Sequence, residues 1–193
     1  MVFFGANDAC LPSSSTGQHV PLNQYKANLR AILGHTLVKR QQPHLILVTP
    51  PPVNEYQLEV SDLEKGIVEI RRTAEHTRKY ADACREVGNE LGVTVLDLWS
   101  TFMVKAGWRS GEPLPGSKKA PMSRILEELL HDGMSLDQHA IHGLNLIFLG
   151  LHFNPYGYKV LYAETLKIIN SEWCKQDRDS IPFCFPGWEI APK

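Results

Sequence analysis

Two polar clusters in the sequence carry side chains that could do chemistry. Gly5-Ala6-Asn7-Asp8 follows a short apolar run, and His152 stands two residues before Asn154-Pro155. An asparagine amide can donate hydrogen bonds to a developing negative charge, and a histidine can take up and return a proton. Each cluster alone has an ordinary explanation, because Asn-Asp is a common turn pair and a lone histidine is usually a surface or packed residue.

Alternating strands and helices would position both clusters at the edge of a sheet. Apolar runs at residues 1–4, 44–49 and 93–99 predict strands, and they are apolar throughout, as in a parallel sheet covered on both faces. Helical spacing predicts helices over residues 22–37, 67–91 and 123–131, and a last helix that begins at Asn154-Pro155. This order predicts an α/β fold, in which chemistry gathers where strands end.

At these residues the chain resembles the SGNH, or GDSL-type, serine hydrolase family. Gly5-Ala6-Asn7-Asp8 is similar to the Gly-x-Asn-Asp block, and residues 150–158 are similar to the block that carries the catalytic histidine. The Leu-Val-Thr-Pro-Pro-Pro segment at residues 47–52 resembles the isoamyl-acetate-hydrolysing esterase branch. The resemblance implies a flavodoxin-like three-layer sandwich with a parallel sheet over residues 1–174, here expected to lack its first strands. Residues 175–193 are polar and then contain proline and aromatic residues, which predicts a surface tail.

The family's chemistry gives each matching residue a role. Asn7 would be an oxyanion-hole donor to a tetrahedral intermediate. His152 would be the general base, and Asp132 would accept its second ring proton and hold the tautomer. The implied partner is a small carboxylic ester, and the chemistry requires no cofactor.

The chain departs from the family pattern in its nucleophile. The family's serine lies in a Gly-Asp-Ser block upstream of Gly-x-Asn-Asp, and this chain contains neither that tripeptide nor a Gly-x-Ser-x-Gly elbow. We therefore expect an N-terminally truncated hydrolase domain that is inactive as written. Two alternatives stay open: a degenerate hydrolase that binds esters without turnover, and a non-catalytic, flavodoxin-like binding module, although no phosphate-cradling Gly-x-Gly-x-x-Gly loop is present.

A second departure concerns the spacing of the acid and the base. In the family the aspartate lies three residues before the histidine, a position that Leu149 occupies here. Removing residues 133–149 would join Asp132 to Gly150 and restore Asp-Gly-Leu-His ending at His152. Our hypothesis is that residues 133–149 are an insertion, namely a translated intron. The alternative is a genuine loop that returns Asp132 to the histidine.

Composition argues against several classes of partner. The 193 residues include 20 Lys+Arg and 21 Asp+Glu, so no electrostatic reason for nucleic-acid binding exists. No apolar stretch approaches the roughly 20 residues of a membrane span. His139 and His142 fall short of the three or four ligands of a zinc site, so no metal is predicted. Four dispersed cysteines and no export signal predict reduced thiols in a cytoplasmic protein, whereas a Cys174–Cys184 disulfide would require export.

Overall fold

The computed structural model describes residues 1–130 and 153–173. Three short strands, β1 (Val2–Phe3), β2 (Ile46–Val48) and β3 (Thr94–Leu96), form a parallel sheet in the order β1-β2-β3. Val2 pairs with Leu47, and Val48 pairs with Leu96. The predicted α/β fold with a parallel sheet is confirmed, and each strand is shorter than its apolar run.

Helices cover the sheet. They are α1 (Leu22–Leu33), α2 (Thr36–Gln41), α3 (Glu55–Glu64), α4 (Ala74–Leu91), α5 (Leu98–Lys105), α6 (Arg124–Leu130) and α7 (Pro155–Ile168), which continues into a π-helical turn at Ile169–Trp173. Among the described residues, none of these helices has both the length and the apolar composition that crossing a bilayer demands.

The sheet separates two hydrophobic cores, because successive side chains of a strand point to opposite faces. Leu47 packs with Tyr25 of α1 and Tyr80 of α4 on one face. Its neighbour Val48 packs on the other face with Phe102 of α5 and with Phe153, which stands just before α7. The chain therefore forms helix, sheet and helix layers.

The predicted helix over residues 67–91 is wrong in its first turns. Helix α4 begins at Ala74, where the Thr73 hydroxyl accepts a hydrogen bond of 3.1 Å from the backbone N–H of His76. Ile70 was expected on the inner face of the helix and is exposed instead. Apolar spacing alone overextended the helix, because it does not register that Thr73 offers a local acceptor to the unpaired N–H groups of a helix start.

The predicted start of the last helix is confirmed. The Oδ1 atom of Asn154 accepts hydrogen bonds of 2.9 Å from the backbone N–H groups of Tyr156 and Gly157, and Pro155 occupies the first turn. Tyr162 was expected on the inner face and is exposed. An unpredicted helix, α5, follows β3 directly, because the Asp97 carboxylate caps it.

Candidate active site

The chain turns sharply where β1 ends. Gly5 has a φ of 119°, in the region that favours glycine, and a Cβ there would lie 2.7 Å from the Tyr25 hydroxyl oxygen. That hydroxyl donates to the Phe4 carbonyl oxygen at 3.1 Å. Burial raises the pKa of Tyr25 far above its ordinary value, so the hydroxyl keeps its proton. The turn places Asn7, which is exposed, at the carboxyl end of β1.

The amide of Asn7 has a defined orientation. Its Oδ1 atom lies 3.1 Å from Nη2 of Arg72, and Nε of Arg72 donates to the Ala6 carbonyl oxygen at 3.2 Å. A guanidinium group can only donate, so the amide oxygen must face it and the Nδ2 hydrogens are left for other acceptors. Oxyanion holes are built from N–H donors of this kind.

A cavity of about 170 Å³ opens beside Asn7. It is lined mainly by apolar side chains, namely Phe3, Phe4, Ala6, Pro51, Phe153 and Tyr158. The rings of Phe3 and Phe153 stack with centroids 6.2 Å apart, and Tyr158 meets Phe153 edge-on at 5.4 Å. Phe153 directly follows His152 in the sequence. The residue after the predicted base therefore lines the same cavity as the predicted oxyanion donor.

The segments that flank the predicted acid and base also meet. The Asn154 amide donates to the Glu128 carbonyl oxygen of α6. A Cβ added at Gly157 in α7 would lie 2.5 Å from the Leu129 carbonyl oxygen, so the two helices approach closely at that point. Asp132 and His152 themselves lie outside the described residues, as do residues 133–149 and the tail from residue 174.

The histidine pair His139 and His142 also lies outside the described residues. Within residues 1–130 and 153–173, no three His, Cys, Asp or Glu side chains are grouped as metal ligands. Cys10 and Cys84 are buried free thiols, and burial raises the pKa of Cys84 to about 12.

Sequence reasoning missed Arg72. The residue fell within the predicted helix over residues 67–91, where an arginine is normally a surface residue. In the structure it lies in the irregular segment before α4 and is buried. The available signal was Thr73, a favourable N-cap residue, which would have moved the helix start beyond Arg72.

Comparison with known proteins shows that this chain is similar to lipases and esterases. The model of the GDSL-like lipase/acylhydrolase family matches residues 1–160. A GDSL esterase/lipase from Arabidopsis thaliana is 35% identical over 173 residues, which cover 89% of this chain and 58% of that protein. The human isoamyl acetate-hydrolyzing esterase 1 homolog is 36% identical over 188 residues, which cover 97% of this chain and 59% of that protein.

Among solved structures, a lipase/acylhydrolase from Enterococcus faecalis is similar to this chain with a TM-score of 0.50 and 22% sequence identity. The similarity covers 86% of this chain and 58% of that one. At this level of identity the likeness concerns the fold. The chain spans about three fifths of the length of the curated relatives it matches.

Proposed function

The chain belongs to the GDSL-like lipase/acylhydrolase family, and on this premise we propose that it is the part of a carboxylic ester hydrolase that supplies the oxyanion donor and the general base. One observation carries the proposal. The Oδ1 atom of Asn7 accepts from Arg72, which leaves the Nδ2 group to other acceptors, and Asn7 lines a cavity that Phe153, the neighbour of His152, also lines. A donor and a base therefore belong to segments that border one cavity.

The proposed chemistry is acyl transfer through a tetrahedral intermediate. The Nδ2 group of Asn7 donates to the oxyanion as it forms, and one such donor contributes about 3–4 kcal/mol to lowering the barrier. His152 takes the proton of the attacking hydroxyl and returns it to the leaving alcohol. Asp132 accepts the other imidazole proton and keeps the ring in the working tautomer.

We propose that residues 133–149 are an insertion between the acid and the base. The contact of α6 with the start of α7 supports this, because Leu129 and Gly157 are already neighbours. A link consisting only of residues 131, 132 and 150–152 would then carry Asp132 and His152 at the family's spacing. A genuine loop over residues 133–149 remains the alternative.

The substrate class is a small carboxylic ester. Supporting this are the names of relatives from mouse and human, which are described as isoamyl acetate-hydrolyzing esterase homologs, and the small, mainly apolar cavity beside Asn7. Because the 193 residues contain no Gly-Asp-Ser tripeptide, we propose that this polypeptide alone does not hydrolyse esters. Losing the nucleophile of a catalytic triad leaves only residual catalysis.

Hydrolysis of p-nitrophenyl acetate tests the inactivity directly. The purified chain and its His152→Ala variant are expected to show the same rate as buffer. Turnover by the unaltered chain that disappears in His152→Ala would overturn the proposed inactivity and show that another nucleophile acts.

Sequencing the transcripts of the gene tests the proposed insertion of residues 133–149 and the presence of a Gly-Asp-Ser block before Asn7. The expected major transcript lacks the codons for residues 133–149 and encodes an in-frame Gly-Asp-Ser block before Asn7. Its product is expected to hydrolyse p-nitrophenyl acetate and to lose about 10²–10³-fold in kcat with Asn7→Ala. A major transcript that retains the codons for 133–149 would refute the insertion, and one without Gly-Asp-Ser would favour a degenerate hydrolase.

A further inference from the structure

Arg72 is a buried cation whose hydrogen bonds go to neutral oxygens. Only 3% of its surface is exposed. Its guanidinium group donates to the Ala6 carbonyl oxygen at 3.2 Å, to Oδ1 of Asn7 at 3.1 Å and to Oε1 of Gln18 at 2.9 Å. Burial lowers its pKa, which reflects the cost of removing the charge from water.

The adjacent Arg71 shows the contrasting, ordinary arrangement. It is also buried, but its guanidinium group forms an ion pair with the Asp62 carboxylate. Within the described part of the chain, Arg72 has no carboxylate bonded to it, and the Asp62 charge that acts on it is already paired with Arg71. Burying a charge without a bonded counter-charge is unfavourable, so stability alone does not account for an arginine at position 72. What distinguishes Arg72 from Arg71 is its contact with the predicted oxyanion donor.

We infer that Arg72 is a positioning residue, which holds the Asn7 amide with its oxygen inward and its Nδ2 hydrogens toward the substrate cavity. This inference rests on the proposed function. An asparagine amide has two orientations related by a half-turn of its terminal group. In the reversed orientation the Nδ2 group would face the guanidinium group. Because both groups only donate, no hydrogen bond could form between them.

The surroundings of Arg72 keep it in place. Thr73 caps α4 directly after it, and the N–H of Ala74 donates to the Glu55 carboxylate at 2.7 Å. On the other side, the backbone N–H of Leu11 donates to the Arg71 carbonyl oxygen at 2.8 Å. The loop that contains Asn7 is thus tied to the start of α4 by backbone and side-chain bonds together.

A double-mutant cycle on the 193-residue chain tests the contact. Asn7→Asp keeps an oxygen that accepts from Arg72, and its negative charge strengthens that hydrogen bond. Introduced into the unaltered chain, the substitution should therefore raise the midpoint of thermal unfolding by about 2–4 °C. In an Arg72→Met background the same change should lower the midpoint. If Arg72→Met does not fold, Arg72→Gln replaces it, because glutamine also removes the charge and can still donate hydrogen bonds through its amide group.

Arg71→Met is the matched control. It removes an adjacent buried arginine that contacts Asp62 rather than Asn7. Arg71→Met should lower the midpoint of thermal unfolding. Asn7→Asp should change the midpoint by the same amount in the Arg71→Met background as in the unaltered chain. Additive behaviour at positions 7 and 72 would overturn the proposal.

Nuclear magnetic resonance tests where the amide hydrogens point. Acetate serves as the probe, since it presents carboxylate oxygens of the size of a small ester product. The Asn7 side-chain signals, identified by their absence in Asn7→Asp, should shift on titration with acetate, and Arg72→Met should lose most of that shift. A shift that persists in Arg72→Met would mean that Arg72 serves only the fold and would overturn its positioning role.

These tests separate the two proposals. A transcript without Gly-Asp-Ser would defeat the hydrolase proposal while the cycle and the acetate titration still report on Arg72. Conversely, ester hydrolysis by the longer product together with an additive cycle would defeat only the role of Arg72.

Discussion

Nη2 of Arg72 lies 3.1 Å from Oδ1 of Asn7, although 65 positions separate the two residues in the chain. The contact joins the loop after β1 to the segment before α4, two places where the backbone leaves regular structure. Its direction matters chemically, because a donor-only group on one side dictates which end of the amide faces the cavity.

The turn at Gly5 is expected to be sensitive to a single added methyl group. Gly5→Ala should lower the free energy of unfolding by roughly 1–3 kcal/mol, because φ is 119° and the new Cβ would lie 2.7 Å from the Tyr25 hydroxyl oxygen. Urea unfolding followed by circular dichroism measures the change. Gly17→Ala is the control, since φ there is 63° but no atom lies within 4 Å of the added Cβ, and it should cost about 1 kcal/mol.

Tyr25→Phe gives a second check on the same turn. Removing the hydroxyl deletes the nearest atom that a methyl group added at Gly5 would meet, while Cγ of Pro50 at 3.0 Å and Cζ of Tyr25 at 3.1 Å remain. Gly5→Ala should therefore cost less in the Tyr25→Phe background than in the unaltered chain. Equal costs in both backgrounds would show that backbone strain and the remaining contacts, and not the Tyr25 hydroxyl, restrict this position.

Asn154 is expected to stabilise the segment that follows His152. Its side chain caps α7 through Tyr156 and Gly157 and donates to Glu128. Asn154→Ala should lower the free energy of unfolding by about 1–3 kcal/mol, because it removes the cap and leaves the Glu128 carbonyl oxygen without this donor. Chemical denaturation provides the measurement.

Two variants divide that effect into its parts. Asn154→Asp keeps the cap and loses the donor to Glu128, so its stability should fall between those of the unaltered chain and Asn154→Ala. His35→Ala removes the exposed cap of α2, a helix with no buried residue, and should change little. If Asn154→Ala unfolded at the same denaturant concentration as the unaltered chain, the cap would have no measurable role.

The free energy of unfolding is expected to decrease at alkaline pH, because the buried Cys84 thiol resists ionisation in the folded chain. Burial raises the pKa of its thiol from 9.0 to about 12, so the folded chain holds the proton more tightly than the unfolded chain does. The stabilisation that comes from the protonated Cys84 thiol is complete below pH 9. It is lost as the pH rises from 9 toward 12, at up to about 1.4 kcal/mol per pH unit. Urea titrations at successive pH values measure the slope.

Cys84→Ala should reduce that slope while leaving the pH dependence below pH 8 unchanged. A residual alkaline loss is expected, because burial also raises the pKa of Tyr80 to about 12 and that of Tyr25 further. An unchanged slope in Cys84→Ala would contradict the assignment to the thiol.

Local sequence signals predicted the strands and the start of α7. Each strand shows as a run of apolar residues, and Asn154-Pro155 marks a helix start, because a cap acts on the next few N–H groups only. The long helix over residues 67–91 was wrong before Ala74, the helix over residues 22–37 is interrupted at Gly34 and His35, and α3 and α5 were not predicted. Their starts depend on Asn54 and Asp97, which cap them with side chains that also fit turns.

The residue types of the candidate site were determined by the sequence itself: an asparagine after a buried strand, a histidine before a capped helix, and an aspartate displaced from its usual spacing. Only the tertiary structure decided that Arg72 faces Asn7 and that Phe153 borders the same cavity. A motif records neighbours along the chain, whereas the orientation of an amide depends on donors that packing brings from elsewhere in the fold. The catalytic roles of His152 and Asp132 stay predictions of the sequence, and that of Asn7 now has a geometry that can be tested.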